Sequence, residues 1–366
     1  MEKFKVGILG ATGMVGRRFV ALLNNHPWFE IVLVAASQRS AGKTFQQALL
    51  ERGVDKTTLE NISPRGHQVR QLLVQDVSAI QTIAQQVDLV FCALDLDKRQ
   101  IAALEEDYAR NEVPVISNNS AHRWTPDVPV IIPEVNPQHS SVIARQRQRL
   151  GVQRGFIVTK PNCSLQSFVP AIEALRDLQP SQIIVSTYQA VSGAGRVLAD
   201  WEEMKDNVIP FINGEEEKTE KEPLKIWGSV GNSQIISAAS PMISSQCVRV
   251  GVSDGHLATV RVKFAKRPQA DDILVRWQAA SSPIDSLQLP LAPKPFLIYH
   301  REPDRPQPVL DRDAGKGMAI SIGRLQPDTV FDYKFVCLSH NTIRGAAGGA
   351  ILLAELLVAQ GILEKG

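Results

Sequence analysis

The sequence predicts an α/β protein: an N-terminal doubly wound parallel sheet, a second α+β domain, and a C-terminal helix returning to the first. Three observations predict it. Strand and helix patterns alternate from the first residues, the texture changes after Lys160 to longer strands, and residues 341–363 are apolar and alanine-rich at helical spacing. The expected boundaries are residues 1–160 together with 341–366 for the first domain, and 161–340 for the second.

Residues 5–10 read as a buried strand, 14–23 as a helix and 30–37 as a strand rich in Ile, Val and Leu. A strand at 88–94, a helix at 98–110 and a strand at 114–117 continue the alternation expected of a parallel sheet covered on both faces. In the second half, residues 183–190, 248–252, 257–264 and 331–338 read as longer strands of a mixed or antiparallel sheet. Residues 201–241 read as a long, polar, irregular excursion. There are no internal repeats and no low-complexity tail.

A chain of 366 residues, 44% hydrophobic and 21% charged, is long enough for two separate cores. The net charge of +2 gives no field of one sign, which argues against nucleic acid or a membrane surface as the main partner and for a small-molecule substrate. Cys92, Cys163, Cys247 and Cys337 are far apart, with neither metal-ligand spacing nor a disulfide-dense pattern, so no metal is expected and a reducing, cytoplasmic compartment fits. A strand begins within a few residues of Met1, leaving no room for a secretory leader, and no apolar run reaches membrane-spanning length.

G-A-T-G-M-V-G, from Gly10 to Gly16, lies between the first strand and the first helix. The spacing is a variant of the dinucleotide fingerprint: Gly10 for the tight turn, Gly13 for backbone approach to a pyrophosphate, Gly16 for close helix packing. With Thr12, Met14 and Val15 it forms the expected cofactor loop of a Rossmann-type domain. The second strand ends in A-A-S-Q-R-S-A-G-K, without the carboxylate that would grip an NAD ribose. Ser37, Arg39, Ser40 and Lys43 instead suit a 2′-phosphate, and NADP is the expected cofactor. The alternative is that Arg39 and Lys43 are solvated loop charges.

In I-V-T-K-P-N-C-S-L-Q-S-F, Cys163 sits between the end of an apolar strand and a helix pattern running through Phe168, Val169, Ile172 and Leu175. Unpaired N–H groups at a helix mouth favour a thiolate, which would make Cys163 a nucleophile with a lowered pKa. The other reading is a small buried hydrophobe. Gln189, in T-Y-Q-A-V-S-G-A-G, either orients a substrate or a thiolate, or completes a turn. In C-V-R-V-G-V-S-D-G-H, Arg249 projects from a strand as a carboxylate clamp and His256 follows a break at Asp254 and Gly255 as a candidate acid or base.

The ordered motifs S-N-N-S-A-H-R, P-N-C-S, Y-Q-A-V-S-G-A-G, E-P-L-K-I, V-R-V-G-V-S-D-G-H and H-N-T-I-R-G-A-A-G-G, together with the glycine loop, span nearly the whole chain. The sequence resembles the aspartate-β-semialdehyde dehydrogenase family, in its archaeal and fungal branch. The resemblance implies an NADP-dependent, phosphorylating dehydrogenase that converts aspartyl-4-phosphate to aspartate semialdehyde through a cysteine thioester. That reaction belongs to lysine, threonine, methionine and isoleucine biosynthesis. It implies Cys163 as nucleophile, His256 as general acid/base and Gln189 as the group orienting the thiol. Arg249 would clamp the substrate carboxylate and Glu222 would meet its amino group, while Arg123, Asn162 and Lys225 would surround the phosphate. Ser192, Gly193, Asn341 and residues 345–348 would lie against the cofactor. A homodimer or homotetramer through the second domain is implied as well.

Lys160 and Gly251 depart from the family pattern, where many relatives have asparagine and proline. Lys160 precedes the P-N-C run and bears on how a leaving group is held, so an acyl-CoA reductase paralogue acting on malonyl-CoA is the nearest rival. N-acetyl-glutamyl-phosphate reductase, with its P-G-C context, is a more distant one. A non-catalytic NADP-binding regulator with a merely buried Cys163 is the alternative of a different class.

Overall fold

The computed structural model describes residues 2–64 and 68–366. Its first sheet comprises β1 (Phe4–Leu9), β2 (Phe29–Ala36), β3 (Val74–Asp76), β4 (Leu89–Cys92), β5 (Val115–Ser117) and β6 (Ile157–Thr159). All six strands run parallel in the order β3-β2-β1-β4-β5-β6. The order reverses between β1 and β4, and the crevice outside the carboxyl ends at such a reversal is where sheets of this kind take a ligand.

Both faces of this sheet are covered, which is why its strands read as continuous apolar runs. The helix Met14–Leu23 buries Gly16, Phe19, Val20 and Leu23, and the Phe19 ring stacks on Phe91 of β4 at 4.7 Å. The C-terminal helix, Gly348–Ala359, buries residues 348–357 on every side and lies in the same core as Phe19 and Phe91. An all-round apolar helix belongs inside, and the expected return to the first domain is observed. Its start differs from expectation: residues 343–347 form a π-helical turn before the α-helix begins.

The second sheet is mixed. It comprises β7 (Pro180–Gln189), β8 (Val208–Ile209), β11 (Met242–Val250), β12 (His256–Phe264), β13 (Leu297–His300), β14 (Ile320–Pro327) and β15 (Tyr333–Ser339), in the order β13-β14-β15-β12-β7-β11-β8. A separate hairpin pairs β9 (Ser229–Gly231) with β10 (Gln234–Ile236). The helices Leu165–Glu173 and Ala270–Gln278 pack on one face around Phe168, Val185, Val260, Trp277 and Phe335. The opposite face leaves Ile184, Tyr188 and Met242 exposed.

Two expectations need correction. β13, β14 and the helix Ala270–Gln278 have no counterpart in the sequence reading, and residues 201–241 are not irregular throughout, since they contain the helix Glu215–Ile226. That helix buries Glu215, Thr219, Glu222 and Ile226, a helically spaced but mainly polar face. A reading based on apolar periodicity has nothing to detect there. Among the described residues, no helix is long and apolar enough to cross a membrane.

Candidate active site

Three strands of the second sheet end together. β7 and β11 run parallel with Gln189 opposite Arg249, and β12 starts antiparallel to β7 with His256, one residue before the Leu257–Tyr188 pair. Register alone therefore brings Gln189, Arg249 and His256 to one end of the sheet. Gly193, in the turn after β7, lies against two of them: a Cβ there would come within 2.8 Å of Arg249 Nη1 and 2.9 Å of His256 Nε2.

Cys163 comes from the other side. β6 ends at Thr159 and the helix Leu165–Glu173 begins two residues beyond the cysteine, so Cys163 occupies the expected helix mouth. The π-turn of the C-terminal segment packs on it, and a Cβ at Gly345 would fall 2.8 Å from that of Cys163. A cleft of about 270 Å³ between the domains is lined by Cys163, Arg123, Lys160, Asn162, Ser192, Gly193, Glu215, Lys218 and Asn341, with Val15 from the glycine loop.

The thiol's environment corrects one expectation. Burial pushes the Cys163 thiol above its ordinary value, and Glu215 adds to the rise, while Lys160, Arg123 and Arg249 pull it down. Desolvation outweighs the helix mouth. His256 is fully buried: its Nδ1 accepts the Ala190 N–H at 3.1 Å, and Nε2 has no hydrogen-bond partner among the described residues. Burial, then Arg249, depress its pKa to about 3. The ring is therefore neutral with its proton on Nε2. Arg249 donates to the Ala190 carbonyl at 2.8 Å through Nη1, leaving the rest of its fork for a ligand.

Glu215 is the residue that sequence reasoning missed. Its carboxylate accepts both Asn162 Nδ2 contacts at 2.9 Å, Gln189 Nε2 at 3.1 Å and Lys218 Nζ at 2.8 Å. Burial works to raise this carboxyl, but Lys218, Gln189 and Asn162 together hold it below its ordinary value. Gln189 thus faces Glu215 and Thr187, and reaches the cleft through Glu215.

The neighbouring pair Glu222 and Lys225 is placed differently from the sequence expectation. Glu222 is bound by Arg123 Nη1 at 2.8 Å and by the Asn162 N–H at 2.7 Å. Lys225 Nζ donates to the carbonyls of Arg123, Thr125 and Val128 at 2.7, 2.9 and 2.9 Å. Its three protons are committed to backbone, so Lys225 does not meet a phosphate; Lys218 and Glu215, with the same spacing one helical repeat earlier, line the cleft instead.

The nucleotide side fits a dinucleotide. Gly10 has φ +84°, and a Cβ there would lie 2.3 Å from the Ala93 carbonyl oxygen; one at Gly16 would lie 2.1 Å from that of Gly10. Gly13 is the N-cap of the first helix, without a side-chain cap or an acidic residue in the first turn, so those N–H groups remain free for a phosphate. Thr12 is buried in the loop, and Met14 starts the helix. After β2, Ser37 and Arg39 are exposed, the Ser40 N–H donates to the Ser37 carbonyl at 2.9 Å, and Lys43 pairs with Glu51. The carboxylate in register with the end of β2, Asp76 opposite Ala36, is engaged by Ser78. Asn341 ties both domains, accepting the Gly255 N–H at 2.8 Å and donating to Ser192 Oγ at 2.9 Å. Among the described residues, no group of three or more His, Cys, Asp or Glu is arranged to hold a metal ion.

A parallel sheet with a glycine loop suited to a dinucleotide, facing a cleft that holds a cysteine and is bordered by a neutral histidine and an arginine, defines a nucleotide-dependent oxidoreductase fold and site. Residues 5–143 match the family model for the semialdehyde dehydrogenase NAD-binding domain, and residues 171–344 match the one for its dimerisation domain. Aspartate-semialdehyde dehydrogenase of Archaeoglobus fulgidus is 40% identical over 99% of this chain and 100% of its own; that of Saccharomyces cerevisiae is 35% identical over 98% of both. The crystal structure of the Candida albicans aspartate-semialdehyde dehydrogenase with NADP superimposes with a TM-score of 0.85, at 35% identity over 99% of this chain and 100% of the other. The chain belongs to the aspartate-semialdehyde dehydrogenase family.

Proposed function

We propose that this protein is a cytoplasmic, NADP-dependent aspartate-semialdehyde dehydrogenase that reduces aspartyl-4-phosphate to aspartate semialdehyde and phosphate. The observation that supports it most is the convergence on one cleft of a half-buried cysteine, three basic side chains and an acidic residue beside the His256–Arg249 edge. Cys163 attacks the acyl carbon, phosphate leaves, and a thioester forms on the enzyme. Arg123 and Lys218, with Asn162, hold the phosphate, and Glu215 takes over from Glu222 as the group meeting the substrate ammonium. Arg249 clamps the carboxylate with its open fork. His256 Nε2–H faces the reacting oxygen, donating to the negative charge that develops there. Bound at the glycine loop, NADPH supplies the hydride that reduces the thioester. Arg39 and Ser37 receive its 2′-phosphate, and Ser192, Gly193 and Asn341 flank the nicotinamide end.

The domain division at residues 160 and 341 is supported by the distinct cores under the two sheets, although Ile284, Leu289 and Met318 pack in the first core and Val130, Ile132 and Val135 in the second. A homodimer or homotetramer through the second domain is supported by the matched dimerisation model and by the exposed apolar side chains Ile184, Tyr188 and Met242 on the open sheet face. The test is NADPH formation from aspartate semialdehyde, phosphate and NADP, with malonyl-CoA and NADPH run in parallel. Turnover that requires both semialdehyde and phosphate is expected; consumption of malonyl-CoA alone overturns the substrate.

A further inference from the structure

The helix Lys98–Arg110 packs Ile101, Tyr108 and Ala109 into one core with Val90 and Val115 of the first sheet, and on the same buried face it carries a carboxyl, Glu105. Glu105 is 0% exposed. Its Oε1 accepts the Ser117 hydroxyl at 2.5 Å, and its Oε2 has no hydrogen-bond partner among the described residues. Burial penalises a carboxyl left half unpaired, and an apolar side chain would fill the same place without that cost. What only the polar group supplies is an acceptor beneath Ser117. With its proton given to Glu105, the Ser117 oxygen turns its lone pairs to the Asn119 N–H, which donates to it at 3.0 Å. That N–H shares one peptide unit with the Asn118 carbonyl, which accepts Arg123 Nη2 at 3.0 Å. Arg123 gives Nη1 to Glu222 at 2.8 Å, and its Nε is buried without a hydrogen-bond partner among the described residues. Asn118, Asn119 and Arg123 all line the cleft with Cys163.

We propose that Glu105 is a positioning residue of this site: through the Ser117 hydroxyl and the peptide joining Asn118 to Asn119, it holds the Arg123 guanidinium in the orientation that receives the phosphate. This rests on the acyl-phosphate reading above, in which Arg123 binds that group. The rest of the turn is held independently. The Asn118 N–H donates to the Cys92 carbonyl at 2.9 Å, and the Asn119 side chain accepts the Leu94 N–H at 3.3 Å and donates to the Leu94 carbonyl at 2.7 Å. Without Glu105 the Ser117 hydroxyl is free to swing its proton towards the peptide N–H, which then loses its acceptor. The carbonyl on the same peptide is released from its fixed angle to Arg123. Hydrogen bonds in a buried chain polarise one another, so a loss at the closed end is felt at the open one. Burial raises the Glu105 carboxyl above its ordinary value, with Ser117, Cys92, His122 and Arg123 opposing. The protonated acid keeps Oε1 as an acceptor, so glutamine, uncharged and of the same shape, reproduces what the relay uses.

The experiment uses the full-length protein and the variants Glu105→Ala, Glu105→Gln and Ser117→Ala. Oxidation of aspartate semialdehyde is measured while phosphate, semialdehyde and NADP are varied in turn. Glu105→Ala should raise KM for phosphate roughly ten-fold and leave KM for semialdehyde and NADP within about two-fold of the wild type. Glu105→Gln should bring KM for phosphate back to within about two-fold. Ser117→Ala should match Glu105→Ala, and the double variant should be no worse than either single one, as links of one chain require. A carboxyl that served only stability would lower Tm without singling out phosphate. An unchanged KM for phosphate in Glu105→Ala, glutamine no better than alanine, or additive losses in the double variant overturns the proposal. If Glu105→Ala does not fold, Ser117→Ala decides, because it cuts the same relay and leaves the carboxyl in place. Failure of the substrate reading is distinguishable: the wild type would then show no phosphate-dependent turnover and both readings would fall, whereas a phosphate-dependent wild type with unaffected variants sinks the relay alone.

Discussion

The Ala190 backbone N–H donates to Nδ1 of His256 at 3.1 Å, and the same ring's Nε2 has no hydrogen-bond partner among the described residues. A backbone donor cannot be reversed, so it fixes the tautomer: His256 is a neutral ring with its proton on Nε2, packed against Gly193 of the cleft lining. Replacing it with glutamine, which keeps a donor, should cost less activity than alanine, for which a fall in kcat of roughly 10²–10⁴-fold is expected. The ring also gives acid sensitivity. Between pH 6.5 and about 3 the unfolded chain binds a proton that the folded ring refuses, so stability falls as pH drops through that window. The slope from this group approaches about 1.4 kcal/mol per pH unit. Denaturant melts from pH 7 to 4 should be shallower for His256→Gln than for the wild type; equal slopes would mean the folded ring titrates normally.

The two Glu-x-x-Lys pairs of the helix Glu215–Ile226 should separate cleanly. Lys218→Met should raise KM for phosphate by ten-fold or more with little change in Tm. Lys225→Met removes the donor from three carbonyls and should cost on the order of 3 kcal/mol of stability. Glu222→Gln breaks the buried pair with Arg123 and should destabilise by roughly 3–5 kcal/mol, whereas Glu215→Gln should act mainly on kcat/KM. The opposite pattern, stability lost at Lys218 and KM at Lys225, would reverse the assignment.

Arg249 uses one N–H on Ala190 and keeps its planar fork. Arg249→Lys preserves charge but not bidentate geometry, so KM for the carboxylate substrate should rise at least ten-fold, with kcat also lowered. Unchanged steady-state kinetics would place the carboxylate elsewhere.

Arg39 is exposed beyond β2 and has no protein partner among the described residues. Arg39→Ala should weaken NADP binding roughly ten-fold while leaving NAD nearly unaffected, measured by calorimetry or fluorescence titration. Equal losses for both nucleotides would return Arg39 to a solvated loop charge.

The nucleotide half was legible because its physics is local. A strand, a turn requiring positive φ at Gly10 and a helix packed close enough to require Gly16 leave their marks on neighbouring residues. The Cys163, Arg249 and His256 segments were legible as motifs, but their convergence depends on the register of β7, β11 and β12, which no single segment encodes. Glu215 was missed for a specific reason. The helix repeats Glu-x-x-Lys at 215/218 and 222/225, both glutamates are buried, and only the tertiary fold decides which pair faces the cleft. The direction of the Cys163 shift was misjudged because helix-mouth polarity can be read from sequence, whereas desolvation by a second domain cannot.

The most direct measurement is intact-mass and peptide mapping of the protein mixed with aspartate semialdehyde and NADP in the absence of phosphate. The expected result is an aspartyl thioester on Cys163 that is discharged on adding phosphate and absent from Cys163→Ala, which should still bind NADP. Turnover without any acyl adduct on Cys163, or activity retained by Cys163→Ala, would contradict covalent catalysis at this residue.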